Sequence, residues 1–485
     1  MATEIKSLAP QSVWSFFYDL TQIPRPTGHT QAVQEYVLEL GKRLGLETHR
    51  DATGNVLIRK TATAGLEGRP VVTLQAHLDM VPQKNSHIQH DFTRDPIDAY
   101  IDGEWVTARD TTLGADNGIG AAYAMAVLAD NTLKHGPIEA LFTIDEEVGM
   151  VGANGLQSDF SKGDILINLD SEEEGLLFVG CAGGIDVNVN LEYKDQEPTP
   201  EGDIAVRIAL TGLRGGHSGM DIHLGRANAN KQLARLLKYA IADYGARLVS
   251  FDGGSARNAI PRECFAVVTL PEADADGLWE LASDFLDTLR TEYKGVEESI
   301  SLTLERTEMP KTVIPEEIQD AIINALVGCV NGVQSMLTDF AGIVEASTNM
   351  ARVTFGDGKF RSAKFFVRSS SETRKEEVAS EIESIMNLAG ANVDFSGAYN
   401  GWAPNASSPI LKTLSKACEE VLGKTPEVTV IHAGLECGII QGAMPNMDMI
   451  SIGPDIRSPH SPDEKVHIAS VERTWRILKR ALELV

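Results

Sequence analysis

The sequence of 485 residues is poor in cysteine, with only five, and none of them belongs to a Cys-x-x-Cys pair. This scarcity speaks against a cysteine metal site and suits a reducing compartment. The chain has no apolar run as long as a membrane span, and its first residues lack the pattern of a secretory signal. We therefore expect a cytoplasmic protein without a membrane partner.

Positive charge is also scarce, because 43 Lys and Arg residues stand against 69 Asp and Glu residues, for a formal net charge of −26. Such a chain repels the phosphates of nucleic acids and of anionic membranes, so neither is an expected partner. The apolar fraction of 43% is ordinary for a globular protein. At this length we expect two or more domains.

The first chemical signal is the exit of a predicted buried strand over the apolar run at 70–76, which carries His77 and Asp79. Residues two apart in an extended chain project to one side, so this imidazole and this carboxylate lie together. Open α/β sheets bind their ligands where strands end. An isolated His-x-Asp is more often a buried histidine satisfied by an acid, and that alternative stays open for the motif alone.

Acidic residues stand at three further turns of the same region. Asp116 lies in a glycine-rich turn before an apolar helix, Glu146 and Glu147 follow a second strand, and Asp170 follows a third. A helix N-cap for Asp116 and solvated turns elsewhere are the alternatives, and we interpret the acids at 172–174 as a solvated turn. Strands that alternate with helices predict a doubly wound, mostly parallel sheet, at whose carboxyl edge these acids converge. Convergent carboxylates are costly unless cations lie among them.

The pattern changes in the middle of the chain, where alternating stretches and helical runs predict an inserted α+β domain with an antiparallel sheet. The predicted boundaries are 1–185 for the first part of the sheet domain, 186–400 for the insertion, and 401–485 for the second part. His460 would then join the sheet domain from the far end of the chain. Imidazoles and carboxylates without thiolates suit two divalent ions bridged by one carboxylate.

Six longer motifs carry a resemblance to a known family. They are LQAHLDMV (74–81), TLGADNG (112–118), NLDSEEEG (168–175), GGHSG (215–219), RNAIPR (257–262) and HAGLECG (432–438). Through these motifs the chain resembles, over nearly its whole length, the aminoacylhistidine dipeptidase family of the dizinc aminopeptidase and carboxypeptidase superfamily. The resemblance implies a catalytic sheet domain, an inserted lid and dimerisation domain, and a homodimer formed through that insertion.

The resemblance also selects five metal ligands from the 11 histidines and 69 acids. By this resemblance they would hold two zinc ions, with manganese or cobalt as alternatives. The implied ligands are His77 and Asp170 for one ion, Glu147 and His460 for the other, and Asp116 as the bridge. Asp79 would orient the ring of His77, and Glu146 would be the general base for a water that the two ions bridge.

The implied substrates are unblocked dipeptides, especially Xaa-His dipeptides including β-alanyl-histidine. His217 would stabilise the oxyanion, in its own or in the partner subunit. Arg368 would bind the substrate carboxylate with its planar guanidinium, assisted by Asn258 and Gly434. Without the resemblance, Arg368 would be interpreted as a solvated strand-end arginine. A related dizinc aminoacylase or tripeptidase, and a non-catalytic metal-binding or peptide-binding protein, stay open as alternatives.

Overall fold

The computed structural model describes residues 2–193, 196–356 and 359–485. The helices in these ranges are α1 Ala2–Ile5, α2 Gln11–Thr21, α3 Gln31–Arg43, α4 Ala115–Ala129, α5 Val151–Gly155, α6 Ala229–Tyr244, α7 Ala275–Glu292, α8 Glu316–Gly328, α9 Glu372–Leu388, α10 Pro409–Leu422, α11 Glu436–Ala443 and α12 Ile468–Leu484. None of the helices in the described part of the chain is long and apolar enough to cross a membrane.

The strands of the same ranges follow the chain in this order: β1 Glu47–Arg50, β2 Val56–Lys60, β3 Val72–His77, β4 Ala99–Asp102, β5 Trp105–Ala108, β6 Ile138–Thr143, β7 Ile165–Asn168, β8 Leu176–Cys181, β9 Gly183–Glu192, β10 Glu197–Pro198, β11 Asp203–Thr211, β12 Gly216–His217, β13 Arg247–Gly253, β14 Ala259–Ile260, β15 Cys264–Pro271, β16 Ser301–Arg306, β17 Thr312–Val313, β18 Gly332–Met336, β19 Val344–Gly356, β20 Lys359–Ser369, β21 Asn392–Tyr399, β22 Glu427–Ile431, β23 Asp448–Ser451, β24 Ile456–Arg457 and β25 Lys465–His467.

The chain divides into two compact units, which are described separately below. Unit 1 comprises Met1–Gly180, Trp402–Val430 and Leu435–Val485, and unit 2 comprises Cys181–Gly401 and Ile431–Gly434. Unit 1 is therefore assembled from segments that lie far apart in the sequence.

Unit 1 is built on an eight-stranded sheet with the order β1-β2-β6-β3-β7-β23-β8-β22. Its centre is parallel, since β3 pairs in parallel with β6 and β7, and β23 pairs in parallel with β7. Every residue of β3, β6 and β7 is buried. Continuous apolar runs of this kind are typical of parallel strands covered on both faces. The predicted α/β class is confirmed, with the parallel pairing in the centre of the sheet and antiparallel pairing of β1 with β2, of β2 with β6 and of β23 with β8.

The register of the central strands places their carboxyl ends at one edge. Val72 pairs with both Ile138 and Ile165, so β3, β6 and β7 begin at the same level. His77, the last residue of β3, pairs with Thr143, the last residue of β6. Side chains that follow these three strands therefore emerge side by side, which is the arrangement that forms ligand sites in open α/β sheets.

A second, four-stranded sheet with the order β24-β25-β5-β4 brings the end of the chain into unit 1. Val466 of β25 pairs with Val106 of β5, whose chain leads on to α4. The loop between β24 and β25 carries His460. Pairing between residues more than 350 positions apart thus places this histidine beside the start of α4.

Unit 2 contains a nine-stranded antiparallel sheet, with the order β16-β11-β15-β13-β19-β20-β9-β21 and with β18 paired to β19. Helices α6 to α9 share one apolar core with this sheet. A short separate ladder pairs β12 with β14, so that His217 lies opposite Ala259. This architecture confirms the predicted inserted domain of the α+β class.

Candidate functional site

The exits of β3 and β7 bring an imidazole and two carboxylates together in unit 1. The Nε2 atom of His77 lies 3.1 Å from Oδ1 of Asp116 and 3.4 Å from Oδ1 of Asp170. The His77 side chain is buried, and Asp170 is almost fully buried. These three side chains form the first candidate metal-binding group of the structure.

Asp116 also belongs to a second group, which includes the histidine from the far end of the chain. The Nε2 atom of His460 lies 3.0 Å from Oδ2 of Asp116 and 3.2 Å from Oε2 of Glu147. The two carboxylate oxygens of Asp116 therefore face two different imidazoles. The N-cap alternative for Asp116 is wrong, because Gly114 occupies that position and the backbone of Asp116 is not helical.

The two groups fit a pair of divalent cations. In each of them the three donor atoms lie within 4.8 Å of one another. Oε1 of Glu147 is buried and lacks a hydrogen-bond partner in the described residues. An unpaired buried carboxylate oxygen is costly, and a cation relieves that cost. Nitrogen and oxygen donors without thiolates suit ions of the zinc, manganese or cobalt type.

Glu146 lies beside these groups and forms a third set with His77 and Glu147, again with donor atoms within 4.8 Å. Burial raises the pKa of Glu146 well above its usual range, against the opposing charge of His77. Burial likewise raises the pKa of Asp170 to about 6. Hydrogen bonds with Asp116 and Glu147 raise the pKa of His460 to about 11. The cluster thus concentrates negative charge, which favours bound cations.

Asp79 contacts several of these residues and fixes their orientation. Its Oδ1 atom lies 3.4 Å from Nδ1 of His77, and the backbone N–H groups of Glu146 and Glu147 donate to its two oxygens at 3.0 and 3.3 Å. The Thr27 hydroxyl donates a further bond of 2.8 Å. Burial alone would raise the pKa of Asp79, but His77 and these hydrogen bonds lower it to about 2. Asp79 is therefore an anion that connects the exits of β3 and β6.

The burial and the contacts of the acids after β7 differ from what the sequence-based interpretation predicts. The prediction of a solvated turn at 172–174 is wrong for Glu174, which is largely buried and accepts two hydrogen bonds from Arg473 at 2.6 and 2.7 Å. Burial, with the charges of Asp116 and Asp170, raises the pKa of Glu172 to about 8.

A buried polar network beneath the strand exits includes Glu436, to which the sequence analysis gave no role. Gln75 donates to Oε2 of Glu436 at 2.6 Å, and the Thr143 hydroxyl donates to the same atom at 2.7 Å. Asn168 donates to Oε1 of Gln75 at 2.6 Å. Burial raises the pKa of Glu436 to about 7. The motif HAGLECG contains Glu436, but no local pattern marks it as buried.

Unit 2 contains a buried cation, Arg368. Its side chain is only 4% exposed, and it forms no ion pair among the described residues, since the nearby acid Asp186 pairs with Arg257 at 2.6 Å. Its Nε donates to the Ser218 hydroxyl at 3.4 Å, its Nη1 donates to the Tyr399 hydroxyl at 3.2 Å, and its guanidinium lies 4.5 Å from the centre of the Phe366 ring. The alternative of a solvated arginine is wrong. A buried guanidinium without an acidic partner suits a bound anion.

His217 lies on the turn that contacts Arg368. The backbone N–H groups of Gly219 and Met220 donate to its Nδ1 at 3.2 and 3.0 Å. Nδ1 is thus an acceptor, which places the ring proton on Nε2. With Nδ1 as an acceptor the ring is a neutral donor through Nε2. Burial and the charge of Arg368 lower the pKa of His217, in the direction that favours this form. Asn258 is exposed, and its backbone oxygen accepts from the Ser218 N–H at 2.8 Å.

His432 is a further buried residue of this cluster, and the sequence analysis gave it no role. Its Nε2 and the Ser347 hydroxyl share a hydrogen bond of 2.7 Å. Burial, with the charge of Arg368, lowers its pKa to about 3. A Cβ atom at Gly219 would lie 2.1 Å from the His432 carbonyl oxygen, so this approach requires glycine. Gly434 ends the short segment that carries His432.

Comparison with known proteins agrees with the geometry of the site. Residues 73–484 match the model of peptidase family M20/M25/M40. The chain is 46% identical over 481 residues to the cytosol non-specific dipeptidase of Escherichia coli (strain K12), covering 99% of each chain. The structure of aminoacylhistidine dipeptidase from Vibrio alginolyticus superposes with a TM-score of 0.95 at 46% identity, covering 99% of this chain and 98% of that one.

A more distant structure shows the likeness of fold alone. Aminopeptidase PepT from Bacillus cereus superposes with a TM-score of 0.58 at 16% identity, covering 98% of this chain and 99% of that one.

The parallel sheet, the cluster of imidazoles and carboxylates at its carboxyl edge and these matches define a metallopeptidase. The chain belongs to peptidase family M20/M25/M40. The family resemblance inferred from the six motifs is thereby confirmed.

Proposed function

We propose that this protein is a cytoplasmic dipeptidase that uses two zinc ions to hydrolyse unblocked dipeptides, especially Xaa-His dipeptides including β-alanyl-histidine. The observation that carries the proposal is Asp116, whose two oxygens each face an imidazole that is paired with a further carboxylate. The names of the two relatives with 46% identity, an aminoacylhistidine dipeptidase and a cytosol non-specific dipeptidase, support the substrate class and the location.

The metal ligands follow from the two groups. Bound divalent ions of this type lower the pKa of water and polarise the peptide carbonyl. His77 and Asp170 would hold one ion, Glu147 and His460 the other, and Asp116 both. Manganese and cobalt suit the same donor atoms, so the ligand type does not select among these metals. Which metal is bound then depends on which one is supplied to the protein.

Glu146 is the proposed general base. Its carboxylate lies beside donor atoms of His77 and Glu147, while its backbone N–H is held by Asp79 at 3.0 Å. A carboxylate in that position takes a proton from the attacking water and gives it to the leaving amine. Asp79 therefore acts by position, since it fixes both the His77 ring and the backbone of the base.

Residues of unit 2 bind the dipeptide in this proposal. Arg368 pairs with the substrate carboxylate, because it is a buried guanidinium without an acidic partner in the described part of unit 2. His217 donates from Nε2 to the oxyanion, since two backbone N–H groups occupy its Nδ1. Asn258 and Gly434 assist in substrate binding. We also propose a homodimer formed through the inserted domain, which leaves open whether His217 serves its own subunit or its partner.

The test is hydrolysis of β-alanyl-histidine by the purified protein, before and after chelation and after zinc is added back. We expect release of histidine that chelation abolishes and zinc restores. Dipeptides without histidine and N-acetyl amino acids form the comparison panel. Cleavage of N-acetyl amino acids or tripeptides without cleavage of dipeptides would replace the proposal by an aminoacylase or a tripeptidase. Metal binding without any turnover would indicate a binding protein.

A further inference from the structure

A buried carboxylate that the proposed mechanism does not use lies behind the bridging residue. Glu464 is only 1% exposed. Its Oε2 accepts hydrogen bonds from the backbone N–H groups of Leu113 and Gly114 at 2.7 and 2.9 Å. Its Oε1 accepts from Ala115 at 2.7 Å and from Asp116 at 3.2 Å. One side chain thus binds four consecutive peptide groups, the last of which is that of Asp116.

A buried guanidinium binds the same loop through its carbonyl groups. Arg25 is also 1% exposed, and its Nη2 donates to the Gly114 carbonyl oxygen at 2.6 Å. Its Nη1 donates to the carbonyl oxygens of Leu78 and Asp79 at 2.9 and 3.0 Å. Gly114 has a φ of 70°, and a Cβ atom there would lie 2.6 Å from Arg25, so only glycine fits. Arg25 therefore ties the exit of β3 to the loop that carries Asp116.

Glu464 also belongs to the segment that carries the other histidine of the site. It follows His460 by four residues, and its backbone N–H donates to the Ser461 carbonyl oxygen at 3.0 Å. Its own carbonyl oxygen accepts from the Thr107 hydroxyl at 2.7 Å. The side chain of Glu464 thus connects the loop of His460 to the loop of Asp116. Between these two loops, Nε2 of His460 lies 3.0 Å from Oδ2 of Asp116.

We propose that Glu464 is a positioning residue that holds Asp116 at the distance from His460 that two shared metal ions require. This inference rests on the proposed function, in which Asp116 bridges the ions. A carboxylate suits the task because it offers acceptors only, and both of its oxygens are fully used by backbone N–H donors. Groups that orient metal ligands typically change metal affinity or activity by 10- to 100-fold when they are altered.

The critical variant is Glu464→Gln, which keeps the shape of the side chain but turns an NH2 group toward two backbone donors. We expect the metal-free variant to bind zinc about 10- to 100-fold more weakly than the parent protein in a competition titration against a chelator. The matched control is Glu297→Gln in unit 2. Glu297 is likewise buried and accepts backbone N–H bonds, from Arg214 at 2.7 Å and from Ala227 at 3.0 Å.

The two variants separate positioning from ordinary stabilisation. Both should lower the thermal unfolding temperature of the metal-free protein, whereas only Glu464→Gln should weaken zinc binding. Equal zinc affinity in Glu464→Gln and the parent would overturn the inference while leaving the proposed function intact. A parent protein that does not bind two zinc ions would overturn the proposed function itself.

A second variant covers the case in which Glu464→Gln does not fold. Glu464→Asp keeps the charge and the acceptors but is shorter by one methylene group, so it reaches fewer of the four N–H groups. We expect a folded protein with zinc affinity below that of the parent. Unchanged zinc affinity in this variant would again contradict positioning by Glu464.

Discussion

The buried charge at the candidate sites of the two units is of opposite sign. In unit 1, Oε1 of Glu147 is buried without a hydrogen-bond partner among the described residues, within a cluster of carboxylates. In unit 2 the buried cluster is built around the Arg368 guanidinium, which has no acidic partner among the residues described there, and the neutral His432. Concentrating buried charge of one sign is costly in either case. The contrast supports the proposed cation site in unit 1 and the proposed anion site in unit 2.

The largest expected effect follows from removing the residue that both metal-binding groups share. Asp116→Ala should lose binding of both ions and should have no detectable dipeptide hydrolysis, because each group loses one of its three donors. Mass spectrometry of the metal content checks the loss of both ions. Thermal unfolding of the metal-free protein is the control for folding. A variant that keeps two ions would show that Asp116 is not the bridge.

Glu146→Gln tests whether the acid beside the metal ligands is a base rather than a ligand. We expect two bound ions and a kcat lowered by about 10²- to 10⁴-fold, the usual contribution of general acid–base catalysis. The matched control is Asp145→Asn, because Asp145 is the neighbouring acid, belongs to none of the candidate metal-binding groups of the described residues and accepts from the Gly28 N–H at 2.7 Å. Stoichiometric loss of one ion from Glu146→Gln would identify Glu146 as a ligand instead.

Arg368→Met tests the anion site of unit 2. We expect kcat/KM for free dipeptides to fall roughly 10- to 100-fold, mainly through KM, since hydrogen bonds to charged groups contribute about 1.5–3 kcal/mol. Metal content should stay at the parent value. The sharper comparison uses a dipeptide amide, which lacks the carboxylate, so parent and variant should then cleave at similar rates. An equal loss with the amide would place the carboxylate contact elsewhere.

His432→Gln gives the smallest effect and concerns stability. The pKa of His432 lies at about 3 in the folded protein, below the ordinary value of 6.5. Between these values the unfolded chain binds a proton that the folded chain does not, so the parent loses stability as pH falls below 6.5. Between pH 6.5 and 5 the free energy of unfolding of the parent should fall by about 2 kcal/mol more than that of the variant, because glutamine does not titrate.

Denaturant unfolding of both proteins at several pH values measures this difference. Above pH 7 the free energies of unfolding of parent and variant should differ by a constant amount, and this constant difference serves as the internal control. Parallel pH dependence of the two proteins down to pH 5 would show that His432 is not a buried neutral group.

Much of the metal site could be predicted from local sequence. The apolar runs of β3, β6 and β7 predict buried parallel strands, and parallel strands present their carboxyl ends at one edge. That rule places His77, Asp170 and the acids at 146 and 147 at the edge, and the family resemblance selects the metal ligands among the candidates. The structure indeed places their side chains together. The roles assigned to them stay proposals.

Other parts of the site have no local signature. His460 came from the family resemblance, and its placement depends on the pairing of β25 with β5. Arg25 stands between two prolines, and Glu464 stands in a run of three charged residues, so neither is marked by its local sequence. Their importance arises from hydrogen bonds to backbone groups that lie from 53 to 351 positions away in the chain.

The sequence by itself therefore determined the class of fold, the sheet edge that carries the site and, through its motifs, the family. Tertiary structure alone decided which charges are buried and what they contact. Arg368 illustrates the reason, because its strand pattern predicts a solvated side chain while packing on Phe366 and Tyr399 buries it. Periodicity reports which face of an element is apolar. Burial of a polar group depends on segments that meet only when the chain has folded.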